Sequence, residues 1–135
     1  MIRREVFEQI KGFDENFEFY FEDSDLCWRC VQAGWQIDFV PSSKIIHHLG
    51  QSTKGTVWNM TSLIYQQSHI TYYRKHATPA SLFILKAYLF LKWVRIWFRV
   101  RMESTYSQRA RTYSQRYYHV IFETMKFALD DPQFP

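Results

Sequence analysis

The sequence predicts an α/β chain, with a head of two helices and two strands followed by a helical tail. Three observations predict it. Apolar residues recur at helical spacing in "RREVFEQIKG" and "EDSDLCWRCVQAG". They run in strand fashion through "WQIDFVP" and "KIIHHLG", each closed by a residue that stops a strand. Helical spacing then returns from Val57 onward. At 135 residues the chain can enclose one core and not two.

Arg3–Gly12 reads as the first helix, with Val6, Phe7 and Ile10 on one side and Gly12 as its stop. "FDENF" is a turn. Glu22–Gly34 is the second helix: Asp23 or a neighbour caps its start, Leu26, Cys27, Cys30 and Val31 form its apolar stripe, and Gly34 ends it. Trp35–Pro41 is a strand ended by Pro41, and Lys44–Gly50 a second ended by Gly50. The polar loop "GQSTKGT" divides residues 1–56 from 57–135. Val57–His76 is a helix that stops ahead of Pro79. Ala80–Met102 is another, with Lys92, Arg95 and Arg99 on one side and Leu, Phe, Trp and Ile covering most of the rest. Finally, "TYSQRAR" at Thr105 repeats as "TYSQRYY" at Thr112, so Tyr106, Tyr113, Val120 and Phe127 share a heptad spacing beside Ala110, Tyr117 and Ile121. Two heptads are too few for a coiled coil. They suffice for a packed amphipathic helix, with a homodimer contact as its other use.

Charge divides where the pattern does. Residues 1–56 hold nine acidic and six basic side chains, whereas 57–135 hold four and eleven. Between Val57 and Met102 there are seven basic residues and no acidic one. An acidic head would carry chemistry, and a basic tail would face something anionic. Basic residues interleaved with large aliphatics suit a membrane surface, and no nucleic-acid motif is present, so nucleic acid is not expected as a partner. "MIRREVFEQ" has no apolar signal core, so secretion is not expected. The tail's apolar runs are broken by Lys86 and Lys92, so no spanning helix is expected; one needs about 20 mostly apolar residues.

"YFEDSDLCWRC" sets Glu22, Asp23 and Asp25 within four positions, directly after Phe17, Phe19, Tyr20 and Phe21. Such a cluster is either a solvated helix start or a catalytic or metal-binding group. Asp23-Ser24-Asp25 spells D-x-D, but at a helix start its two side chains diverge and make a poor metal clamp. Cys27 and Cys30 form one C-x-x-C; with no strand running into it and no second ligand pair aligned, both cysteines read as small core residues.

The run "GFDENFEFYFEDSDLCWRCVQAGWQIDFVPSSKIIHHLGQST", Gly12–Thr53, resembles the C-terminal part of the catalytic domain of family 2 glycosyltransferases, most nearly the bacterial rhamnosyltransferase type. A G-F-D-E turn, an aromatic stretch, E-D-x-D-L, Gly-Trp, a strand ending in Pro, and a His before G-x-S occur in family order. "YYRKH" at Tyr72–His76 looks like the family's helical extension. The sequence departs from the pattern at Lys11, where a first Gly is common, at Glu18, where a second Phe is, and at Ser43, where Ala is. The family's nucleotide-binding half, with its own D-x-D, has no counterpart here.

The resemblance implies a fragment of a GT-A-type, Rossmann-like domain followed by an α-helical tail. It implies an inverting transfer from a nucleotide-sugar donor to a glycan or lipid-linked acceptor in cell-surface polysaccharide assembly. Asp23 would be the base that takes the acceptor hydroxyl's proton, a contribution of roughly 10²–10⁴-fold. Its bland alternative is a helix cap, and for Asp25 a first-turn surface carboxylate. Glu22 would orient the acceptor or cap. Tyr20, between Phe19 and Phe21, would offer a flat face to a sugar, as would Trp35, which could equally be a core aromatic. His47 would meet a divalent metal, Mn or Mg, or the donor diphosphate, with a hydrogen-bonded strand histidine as its alternative; the metal would be held largely by the absent half. The expected location is cytoplasmic, peripheral on the inner face of the plasma membrane. The competing reading is a non-catalytic helical interaction or dimerisation protein derived from such an enzyme.

Overall fold

The computed structural model describes residues 1–46, 60–102 and 108–122. Within them the chain forms helices α1 (Arg4–Gln9), α2 (Glu22–Gln32), α3 (Met60–His76), α4 (Pro79–Met102) and α5 (Gln108–Phe122). α3, α4 and α5 pack on one another in all three pairings. Their core joins Leu63, Ile64 and Ile70 of α3, Leu85 and Leu89 of α4, and Tyr113, Tyr117, Val120 and Ile121 of α5. The head, α1 and α2 with the turn between them, lies against this bundle and sends Phe19 onto its core.

Local chemistry sets the helix ends. Past α1, Lys11 and Gly12 both turn left-handed, at φ 62° and 68°, and the Gly12 N–H donates to the Phe7 carbonyl at 2.8 Å. A Cβ on Gly12 would stand 3.1 Å from the Phe7 ring, so the position needs glycine twice over. Gly34, at φ 87°, ends α2 as the sequence predicts: its N–H reaches the Val31 carbonyl while that of Trp35 reaches Cys30. α3 stops at His76. Thr78 then caps α4, its Oγ1 accepting from the Ser81 N–H at 3.2 Å, and Pro79 takes the first helical position, where no N–H is needed. In α5 the stripe read from the repeat faces inward: Ala110, Tyr113, Tyr117, Val120 and Ile121 are all buried.

The expected α/β class is overturned. Among the described residues there is no strand and no sheet, and the fold is helical. The first expected strand, Trp35–Pro41, and the described start of the second, Lys44–Ile46, have no regular structure, and Phe39, Ile45 and Ile46 are 87–89% exposed. Strand-like patterning is not enough, because a strand's N–H and C=O groups need a neighbour to bond, and none lies alongside among the described residues. Residues 47–59, with the rest of that strand and the boundary loop, lie outside the described residues, as do Tyr106 and Phe127 of the heptad.

Two smaller readings also change. Cys30 is buried but Cys27 is exposed, so only one of the pair is a core residue, and both are free thiols. On α4, the side carrying Leu85, Leu89 and Val100 turns inward, and a second apolar side, read from the sequence as part of one broad face, is left outside.

Candidate functional site

Tyr20 and Phe21 enter α2 with φ 69° and 67° in succession. For side-chain-bearing residues each such step costs about 1–2 kcal/mol, so surrounding contacts must hold it. α3 supplies them. Phe21 stacks on His69 at 4.9 Å and 13° between planes, with Tyr65 and Tyr72 each 5.4 Å away. Tyr20 sets its ring against Phe19 at 4.4 Å and Tyr65 at 5.2 Å. The Ser68 hydroxyl donates to the Phe19 carbonyl at 2.8 Å. α3 is thus the seat on which the aromatic stretch fixes the start of α2, and much of the Tyr20 ring surface is already spent on neighbours.

The carboxylates of "EDSD" meet different fates. Asp25 is fully buried. Its Oδ2 accepts from Arg29 Nε at 2.7 Å, and its Oδ1 from Lys75 Nζ at 2.6 Å and His76 Nε2 at 2.7 Å. A carboxylate only accepts, so His76 carries its proton on Nε2. Burial pushes the Asp25 pKa up, but the bonds from Lys75, His76 and Arg29 prevail and hold it below its ordinary value. Lys75 also bonds Asp14 Oδ2 at 2.6 Å, which, with the Asn16 N–H, pulls the Asp14 carboxyl down to about 2. Burial works against the charge on Lys75, yet its two carboxylate partners leave its pKa raised. Arg29 adds a bond to the Ile10 carbonyl at 2.6 Å, tying α2 to the end of α1. Asp25 is therefore no surface group. It is the pin between head and bundle.

Asp23 is exposed in the first turn of α2. It does not cap the helix, because the N-cap position is Phe21, and among the described residues its Oδ1 accepts only from the adjacent Ser24, at 2.6 Å from the N–H and 3.3 Å from the hydroxyl. Glu22 is half-buried, and its Oε2 is shut from water with no hydrogen-bond partner among the described residues. A polar atom in that condition costs about 1–3 kcal/mol. Tyr20, Glu22 and Asp23 thus stand together at the head of α2. Trp35 does not join them: it lies past the other end of that helix, whose 11 residues span roughly 16 Å at 1.5 Å per residue, and there its Nε1 donates to Gln9 Oε1 at 2.9 Å and Arg3 lies over its ring. His47 falls outside the described residues. Among those described, no three His, Cys, Asp or Glu side chains converge as a metal site would require.

Sequence reasoning missed Asp25 as a hub and α3 as the seat. A signal existed: Tyr65, His69, Tyr72, Tyr73 and His76 fall on one helical stripe, ending in the basic pair Lys75 and His76.

A family described as the N-terminal domain of galactosyltransferase matches residues 1–51. An N-acetylglucosaminyl-diphospho-decaprenol L-rhamnosyltransferase of Mycobacterium tuberculosis is 45% identical over 53 residues, 39% of this chain and 17% of that protein; the sequences of strains CDC 1551 / Oshkosh and H37Rv match equally. The rhamnosyltransferase WbbL of Escherichia coli K12 is 38% identical over 48 residues, 36% of this chain and 18% of that protein. Over a short stretch, the chain is similar to glycosyltransferases, rhamnosyltransferases among them. The matched stretch covers about a sixth of the length of these relatives. The family description and the relatives' names agree on glycosyl transfer and differ on the sugar. No solved structure gives a match. The candidate residues Tyr20, Glu22 and Asp23 lie within the stretch that the family matches.

Proposed function

We propose that this chain contributes the acceptor side of an inverting glycosyltransferase, with Asp23 as the general base. The observation that carries the reading is the division of labour between the two aspartates: Asp25 is consumed by three cationic or proton-donating partners, while Asp23 is left open at the positive end of α2. A hydroxyl brought to Asp23 loses its proton to the carboxylate as its oxygen attacks the anomeric carbon, and the nucleoside diphosphate departs from the opposite face. Glu22, next to Asp23 in the first turn of α2, is assigned the orienting of the acceptor. The described residues do not supply a metal's donor set, so neutralising the leaving diphosphate is assigned to groups outside them, His47 among them. By likeness to the mycobacterial relative, the acceptor is a glycan on a polyprenyl diphosphate, met at the inner face of the plasma membrane. In a transfer-competent enzyme that carries this segment, Asp23→Asn abolishes transfer while donor affinity stays within about threefold; transfer at near wild-type rate removes Asp23 from the chemistry. A second reading, a helical interaction protein without catalysis, draws support from the bundle's own core in α3–α5.

A further inference from the structure

We infer that the outer face of α4 is a docking surface for an anionic lipid bilayer, on which the helix lies flat. The bundle buries one side of α4 through Leu85 and Leu89. On the opposite side Phe83, Ile84, Tyr88, Leu91 and Phe98 stand 58–73% exposed. At about 100° per residue these five fall on one continuous arc. A contiguous exposed apolar strip of this kind marks a contact surface.

The charges beside the strip say what covers it. Lys92, Arg95 and Arg99 line one edge of the arc, and Arg101 closes its C-terminal end. Among the described residues, neither Arg95, Arg99 nor Arg101 pairs with a carboxylate, and Lys92 rests over the Tyr117 ring, 5.9 Å from its centre. From Val57 to Met102 the sequence carries no Asp or Glu at all. A second copy docked through the same face would bring two basic edges together with no acid on either α4 to answer them, whereas lipid phosphates answer both. Aromatic and aliphatic side chains with a basic edge are what an interfacial helix presents, its apolar side sunk about 5–10 Å below the headgroups. No described helix is long and apolar enough to cross a membrane. The inference does not depend on the transfer chemistry and can fail or stand without it.

The test is flotation of the intact chain with phosphatidylcholine vesicles, with and without about one-third phosphatidylglycerol. The chain is expected to float with the anionic vesicles at low salt, not with the neutral ones, and to be released at high salt. Arg95→Gln with Arg99→Gln is expected to weaken partitioning about thirtyfold, near fivefold per charge. Leu91→Asp with Phe98→Asp is expected to abolish it with an unchanged helical circular-dichroism spectrum; if those aspartates unfold the helix, Leu91→Ser with Phe98→Ser is expected to weaken it instead. The inference is overturned by a chain that ignores anionic vesicles at low salt. It is overturned equally by flotation that the folded outer-face variants leave undiminished, or by a dimer in sedimentation that those variants dissociate.

Discussion

Asp25 and Lys75 meet at 2.6 Å across 50 residues of chain, with the carboxylate fully buried and the lysine side chain about one-third exposed. Because Asp25 also holds Arg29 and His76, its loss strands several groups at once. Asp25→Ala is expected to destabilise the chain by about 3 kcal/mol in urea unfolding, the low end for a broken buried pair. Lys75→Met, with water able to reach the site, is expected to cost about half as much. Equal and negligible losses would mean that the head is held by its rings alone.

Acid is expected to undock the head. Asp14 and Asp25 have folded pKa values below their ordinary ones, so each contributes stability that is whole above pH about 4 and lost as pH falls through the folded value. For Asp14 that window runs from about 4 down to about 2. Lys75, raised, contributes stability below pH about 10.5 that is lost only above it. Fluorescence of Trp28 and Trp35, both in the head, would follow the acid transition. Asp14→Asn should flatten the part of the stability slope between pH 4 and 2 and leave the neutral region level.

Lys11 adopts φ 62° without a glycine's freedom. Lys11→Gly is expected to raise stability by about 0.5–1 kcal/mol, the relief of left-handed strain less the extra chain entropy of glycine. Thermal unfolding would read this as a rise of a few degrees. A fall would mean that the lysine side chain makes a contact worth more than the strain.

The two aspartates should separate cleanly. Asp23→Asn, at an exposed site near a helix start, is expected to change stability by less than about 1 kcal/mol while removing transfer. Glu22→Gln is expected to raise KM for the acceptor several-fold and leave the donor's KM unchanged, since Glu22 stands next to Asp23 in the first turn of α2. An unchanged acceptor KM would return Glu22 to a purely structural role.

What the sequence disclosed was local. Gly12, Gly34 and Pro79 punctuate helices by their own conformational rules, and the inward stripe of α5 follows from spacing alone. Pairing was not legible. "WQIDFVP" satisfies a strand's pattern, but the pattern does not create the neighbour that a strand requires. Nor could the sequence say which side of α4 faces in, because both sides are apolar and only the bundle decides. Asp25 was misjudged for a related reason. A carboxylate in a helix's first turn looks solvated until its partners, Lys75 and His76, are brought to it from α3. The placement of Glu22 and Asp23 directly after the aromatic residues Phe19, Tyr20 and Phe21 was legible because all of it is contiguous in the chain.

The seat on α3 also has a consequence for the order in which the protein assembles. α3 and α4, and α4 and α5, are successive pairs that pack on one another, so those contacts close between segments that follow in sequence and bring α5 to α3. The head has few buried apolar residues of its own, chiefly Val6, Phe17 and Cys30, and its hydrogen-bonded anchors reach 49 to 61 positions ahead, to Ser68, Lys75 and His76. Contacts at that separation carry a larger loop-closure cost and form late. A ribosome therefore delivers Asp23 well before the surface that orients it, and the helix bearing the proposed base stays unanchored until α3 has emerged behind it. Assembly runs from back to front, and the bundle acts as the mould in which the head is cast.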